Sequence, residues 1–214
     1  MEPMRAILSD LDGTLVDSTD AVLRVWHGWM RDRDLPVTPP DQHPHGIPAR
    51  RVVEMLAPQL DAAEEARELE RREIADLDGV RALPGAEALL AAAAGLPARG
   101  LAVPVAVVTS CTVPLALARL GAAGLPEPRT MVTAERTTRV KPDPDPYLLG
   151  AQELGVDPAD CVVLEDAPAG IAAGRAAGMR VVAVRCSHPR DADLAAADEI
   201  VDDVAAFLRA EGLT

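Results

Sequence analysis

The chain is 214 residues long, 49% apolar, and carries a formal net charge of −13 at pH 7. That length accommodates one large domain, or a medium one with a small insert, and the apolar share is enough for a buried core. A chain this acidic is repelled by nucleic acid and by anionic lipid, so neither is an expected partner, and an anionic substrate must be drawn in by a local metal, a lysine or backbone N–H groups.

Ala6-Ile7-Leu8 reads as the first strand. From Asp17 to about Leu83 the pattern is helices and loops, with no convincing strand. Within that stretch Val22, Val25, Trp26, Trp29 and Met30 recur at helical spacing and make one apolar face. Asp61 followed by Glu64 has the spacing of an N-cap and its partner at the third helical position, and Glu68 with Arg71 and Arg72 adds short-range ion pairs. Pro84-Gly85 marks the return of an alternating pattern. Helices are predicted over about 85–94, 113–123, 145–154, 169–177 and 203–210. Strands fall between them at Val103 to Val108, Met131-Val132, Cys161 to Leu164, Val181 to Val184 and Ile200-Val201. The middle strands are apolar without alternation, as parallel strands covered on both faces are. Gly95, Gly124, Gly155 and Gly178 stand where C-terminal caps belong. The reading is an α/β fold, a doubly wound parallel sheet built from 1–16 and 84–214, with a helical insert over 17–83. Its site should lie at the carboxyl ends of the strands, where such an insert would form a lid.

Trp26, Trp29, Tyr147 and Phe207 are the whole aromatic set, so Ala, Val and Leu must build the core. Cys111, Cys161 and Cys186 form neither a disulfide framework nor a metal-ligand spacing, which suits a reducing cytoplasm. No stretch reaches the length of a membrane span, and no signal-peptide pattern precedes the first strand. A cytoplasmic monomer or weak dimer is expected.

The first strand runs into Ser9-Asp10-Leu11-Asp12-Gly13-Thr14. Two acids at the end of a buried strand are unfavourable unless something compensates them. Gly13 permits a tight turn that aims both carboxylates into one cleft; the plain alternative is an Asp-rich turn capping the next helix. Glu165-Asp166 repeats the pattern after Cys161–Leu164, ahead of the small-residue segment Ala167-Pro168-Ala169-Gly170, where capping is again the alternative. Two such clusters suggest a site for a hard cation such as Mg²⁺, completed by phosphate oxygens. Thr109-Ser110 ends the strand Val103–Val108, where a hydroxyl and free N–H groups could hold a phosphate oxygen or simply end a strand. Lys141 is the only lysine of the chain, all other cations being arginine. It lies in Arg139-Val140-Lys141-Pro142-Asp143-Pro144, and its survival in an arginine-rich chain suggests a site needing a compact ammonium.

These points, in this order, resemble the haloacid dehalogenase superfamily of phosphohydrolases. Asp10-Leu11-Asp12-Gly13-Thr14 is similar to its first motif, Thr109 to its second, Lys141-Pro142 to its third and Glu165-Asp166 to its fourth. The insert after the first motif resembles the small cap of the β-phosphoglucomutase-like group. Within that group the branch of hexitol, sugar and glycerol-phosphate phosphatases is the most similar, on His45-Gly46, Val132-Thr133-Ala134-Glu135-Arg136, Lys141-Pro142-Asp143-Pro144, Tyr147-Leu148-Leu149-Gly150 and the segment Val163 to Ile171. The resemblance implies a Rossmann-like core and a Mg²⁺-dependent phosphatase acting on a small phosphorylated metabolite through an aspartyl phosphate. It makes Asp10 the nucleophile and Asp12 the general acid and base. Thr109, Ser110 and Lys141 would bind the phosphoryl group. Asp10, the Asp12 backbone carbonyl and Asp166 would hold the metal, with Glu165 close by. His45, Gly46 and Arg50 would read the leaving group, although His45 could instead cap the helix starting near Pro48. A sugar-phosphate mutase is the rival, but Ala49 stands where that branch has an arginine and the insert has no lysine. A dehalogenase would lack the metal-site acids. A non-catalytic binding module would be expected to have lost the first motif.

Overall fold

The computed structural model describes residues 4–39, 44, 46–96, 103–185 and 194–213. Six strands, β1 (Ala6–Ser9), β4 (Val105–Val108), β5 (Met131–Val132), β6 (Cys161–Glu165), β7 (Arg180–Val184) and β8 (Glu199–Val201), form one sheet in the order β5-β4-β1-β6-β7-β8. Every neighbouring pair in it is parallel. Strand order reverses at β1, so the crevice at its carboxyl end lies between the ends of β4 and β6.

Alternate residues of the strands point to opposite faces. Ile7, Val105, Val107, Val162, Leu164, Val182 and Val184 pack with Leu89 and Leu90 of α4 (Ala86–Ala93), Leu115 and Leu120 of α5 (Val113–Ala122) and Phe207 of α8 (Val204–Ala210). Ala6, Leu8, Ala106, Val108, Val163 and Val181 pack on the other face with Tyr147 and Ala151 of α6 (Asp145–Leu154) and Ile171 and Ala173 of α7 (Pro168–Ala176). Burial on both faces is why the strands read as unbroken apolar runs. The four glycines expected as C-terminal caps all have positive φ, from 67° to 77°.

Between β2 (Val16–Asp17) and β3 (Arg81–Ala82) lie α1 (Thr19–Asp32), α2 (Ala49–Leu56) and α3 (Ala62–Ala75). They enclose a core of their own, made of Val25, Trp26, Trp29, Met30, Val52, Val53, Ala57 and Leu69. The two tryptophans meet edge to face, 5.7 Å between centroids. Asp61 caps α3 by accepting from Ala63 N and Glu64 N, and Glu68 pairs with Arg71 and Arg72. One expectation is corrected here: 17–83 is not free of strand, because β2 and β3 pair antiparallel across its two ends. Each strand is two residues long, too short for a periodic signal, and an ion pair between Asp17 and Arg81 closes the neck.

Candidate active site

Strand β1 delivers Asp10 at its carboxyl end, and Gly13, at φ 84°, turns the chain so that its N–H donates to Val16 O at 2.8 Å. Opposite Asp10 stands Lys141. Its Nζ donates to Asp10 Oδ1 at 2.6 Å, Glu165 Oε1 at 2.7 Å and Val108 O at 2.9 Å. The lysine side chain is 1% exposed. Three acceptors around one point are matched by the three donors of an ammonium and not by a planar guanidinium. Burial acts to push the Lys141 ammonium down, but Asp10 and Glu165 outweigh it and hold it well above its ordinary value.

Glu165 is wholly buried, and four donors occupy it. Lys141 Nζ and Tyr147 OH reach Oε1, while the N–H groups of Asp166 and Ala167 reach Oε2 at 2.9 and 3.0 Å. The Tyr147 ring also lies under the ammonium, 5.0 Å from Nζ to its centroid. Nothing bulkier than glycine fits behind this carboxylate, since a Cβ at Gly170 would fall 1.5 Å from Glu165 Oε1. The small-residue segment after Glu165-Asp166 is thus shaped to the carboxylate.

Asp10, Glu165 and Asp166 each offer an oxygen within 4.8 Å of the others. Thr14 Oγ1 donates to Asp166 Oδ1 at 3.3 Å. Three buried carboxylates against one ammonium leave an excess of negative charge. Burial, with Glu165 and Asp166 adding to it, accordingly pushes the Asp10 carboxyl well above its ordinary value against the pull of Lys141. A divalent cation with oxygen preference fits this donor set and would offset that repulsion.

The Asp12 carboxylate faces another way and is not part of that cluster. Ser18 Oγ donates to Oδ1 at 2.7 Å; Cys111 Sγ at 2.9 Å and Arg119 at 2.6 Å stand on Oδ2. Burial and Asp12 hold the Cys111 thiol well above its ordinary value, so it is a donor here and not a thiolate. Arg119 is buried and bonds Glu73 Oε2 at 3.1 Å as well, while Trp26 Nε1 donates to Glu73 Oε1 at 3.0 Å.

A cavity of about 500 Å³ opens above these groups, between the strand ends and the helices α1 to α3. Asp10, Asp12, Thr109, Ser110, Gly46, Arg50, Trp26 and Asp166 all line it. Thr109 accepts from Cys111 N at 3.1 Å and Ser110 Oγ donates to Gly46 O at 2.9 Å. Arg50 sits at the rim with its Nε on Glu54 at 3.2 Å. His45 lies outside the described residues. Trp26, on the apolar face read from its helical spacing, lies in the core of the insert and also forms cavity wall. Thr137, a further wall residue, has a buried hydroxyl with no hydrogen-bond partner among the described residues.

Tyr147, Arg119 and Glu73 were not singled out as site residues from sequence. Tyr147 is the sole tyrosine of the chain, so the reasoning that picked out Lys141 could have found it. Arg119 and Glu73 belong to abundant residue types and carry no local mark.

Residues 4–178 match the haloacid dehalogenase-like hydrolase family. Over 183 residues, 84% of this chain and 82% of the other, the sequence is 48% identical to hexitol phosphatase A of Escherichia coli strain K12. It is 33% identical over 198 residues, 88% of this chain and 77% of the other, to glycerol-1-phosphate phosphohydrolase 2 of Saccharomyces cerevisiae. Among solved structures, a hydrolase of this family from Deinococcus radiodurans R1 with bound phosphate and sodium superposes with a TM-score of 0.72 at 31% identity, covering 100% of this chain and 98% of that one.

Proposed function

Since this chain belongs to the haloacid dehalogenase-like hydrolases and is a phosphoric monoester hydrolase, we propose that it removes phosphate from small sugar, hexitol or glycerol phosphates through a phosphorylated Asp10. The observation that carries the reading is the Asp10–Lys141–Glu165 arrangement, of which Asp10 lines the cavity.

The Asp10 carboxylate attacks phosphorus in line as the ester P–O bond breaks, and Asp12 gives its proton to the departing alkoxide. Water then loses a proton to Asp12 and attacks the phosphorus of the aspartyl phosphate, releasing phosphate and restoring Asp10. Lys141 holds the Asp10 carboxylate in place and neutralises charge gathering on the phosphoryl group. Thr109 and Ser110, at the end of β4, bind phosphoryl oxygens. Glu165 orients Lys141 through Oε1. Asp10, Asp166 and the Asp12 main-chain carbonyl would hold magnesium, which supplies positive charge to the phosphoryl oxygens when bound. Phosphoryl transfer depends mainly on such positioning and charge neutralisation.

Residues 17–83 act as a cap on a core of 1–16 and 84–214, excluding water when seated. For the substrate class, two relatives are a hexitol phosphatase and a glycerol-1-phosphate phosphohydrolase. The cavity wall adds the unpartnered Thr137 hydroxyl and Glu70, whose Oε1 accepts from Thr112 at 2.6 Å, groups suited to hydroxyls. Trp26 is pinned by Glu73 and packed on Trp29, which leaves it poorly placed to stack on a base. The insert has no lysine and carries Ala49, which favours hydrolysis over a mutase cycle.

The test is phosphate release from hexitol, hexose and glycerol phosphates, nucleoside monophosphates and p-nitrophenyl phosphate, with and without magnesium. Magnesium-dependent turnover with the highest kcat/KM on polyol or sugar esters is expected. A preference for nucleotides removes the substrate class, and no release from any ester removes the reading. His45→Ala should lose far more kcat/KM on the preferred sugar ester than on the aryl ester, and equal losses would take His45 out of substrate reading.

A further inference from the structure

Arg119 lies on α5 and is 5% exposed. No anionic substrate is needed to explain its burial, because its two terminal nitrogens are spent on two carboxylates from distant parts of the chain. One is Asp12 Oδ2, 2.6 Å from NH1; the other is Glu73 Oε2, 3.1 Å from NH2. Asp12 belongs to the turn after β1 and Glu73 to the end of α3 in the helical insert. Glu73 is itself held on its other oxygen by Trp26 of α1. A planar guanidinium puts two separate nitrogens, in fixed directions, on the two carboxylates.

We propose that Arg119 is a positioning residue for the proton-transfer step, and that Glu73 of the insert sets Arg119. This rests on the reading of Asp12 as the group that protonates the leaving alkoxide. An unguided aspartate has two side-chain torsions to explore, and a proton donor works only within hydrogen-bond reach of the departing oxygen. Ser18 on Oδ1 and Arg119 with Cys111 on Oδ2 remove that freedom. Because the second hold of Arg119 comes from the insert, Asp12 is fully aligned only when the insert is seated, which couples closure of the site to competence for proton transfer.

The test compares an alkyl ester, glycerol 1-phosphate or a hexitol phosphate, with p-nitrophenyl phosphate on the same enzyme preparations. The alkoxide must be protonated as it leaves, whereas p-nitrophenolate leaves without a proton. In Arg119→Gln, kcat/KM on the alkyl ester should fall by roughly 30-fold or more beyond its fall on the aryl ester, a part of the rate that a positioned proton donor supplies. Arg119→Lys keeps the charge but reaches only one carboxylate, so part of that excess should return. Glu73→Gln should show an excess in the same direction. A variant that folds in part lowers both rates alike and leaves their ratio untouched. Equal losses on the two esters, with wild-type enzyme active on both, overturn the role of Arg119. A wild-type ratio in Glu73→Gln overturns the coupling to the insert. Wild-type enzyme inactive on both esters overturns the phosphatase reading, and this assignment with it.

Discussion

Lys141 Nζ stands 2.6 Å from Asp10 Oδ1, joining the loop before α6 to the end of β1 across 131 residues of chain. The contact is buried on both sides, with side-chain exposures of 1% and 7%. The same nitrogen holds Glu165, so the Asp10 carboxylate, the ammonium and the Glu165 carboxylate form one unit whose geometry depends on a compact donor.

Lys141→Arg should therefore not be conservative. A guanidinium is larger, and its donors lie in one plane, so it cannot satisfy Asp10, Glu165 and Val108 O from this position. We expect kcat to fall by roughly a hundredfold or more, the loss seen when a preorganised charge contact is removed from a transition state. Steady-state kinetics check this, and full activity would reduce the sole lysine to a matter of composition.

Asp10→Asn should abolish turnover and leave the fold intact. It should also change stability with pH. Burial raises the Asp10 carboxyl, so in the metal-free protein the folded state holds a proton there that the unfolded chain releases. The Asp10 contribution to wild-type stability falls as pH rises through that interval, above the ordinary value of 3.8. The amide does not titrate. In a chelator, the stability of Asp10→Asn relative to wild type should therefore rise with pH above that value, and paired thermal melts across the acid range read it directly. A flat difference would mean that the carboxylate is not the group under strain.

Magnesium should raise the melting temperature of the wild-type protein, by an amount equivalent to about 2.7 kcal/mol at ~100 Kd. Asp166→Asn should lose most of that shift, since it removes one of the three clustered carboxylates. Asp12→Asn should keep it, because the Asp12 carboxylate is turned toward Ser18, Cys111 and Arg119. Turnover of Asp12→Asn should nevertheless be severely impaired. Loss of the magnesium shift in that variant would make its carboxylate a metal ligand.

Gly170→Ala adds one methyl group and should disable the site. The new Cβ would lie 1.5 Å from Glu165 Oε1, an atom pinned by Lys141 and Tyr147. Either Glu165 gives way and releases Lys141, or α7 shifts, a strain of about 1–3 kcal/mol for an overpacked interior. Kinetics with a thermal melt should report at least about a tenfold loss of kcat together with destabilisation. Wild-type values in both would show that the carboxylate is free to move.

Much of this was legible in the sequence because it is local. Unbroken apolar runs mark strands buried on both faces, helical spacing marks the face carrying Trp26 and Trp29, and acids at strand ends mark where charge is held against burial. Asp10, Asp12, Thr109, Ser110 and Asp166 could be named from their places at strand ends and Lys141 as the sole lysine, and the structure gathers them at one end of the sheet. The rest depends on partners far apart in the chain. Arg119 is one arginine among many until it is seen between Asp12 and Glu73, 107 and 46 residues away along the chain. Glu165 could be read as an acid near a metal, but its occupation by Lys141, Tyr147 and two backbone N–H groups appears only once three elements are packed together. The short β2–β3 pair likewise has no periodic signal to leave in two-residue strands. Sequence periodicity and strand-end chemistry determined which carboxylates stand at the strand ends, while tertiary packing brought Glu70 and Glu73 to the same cavity and decided which way each carboxylate faces, because a buried charge takes its direction from the donors that the fold brings to it.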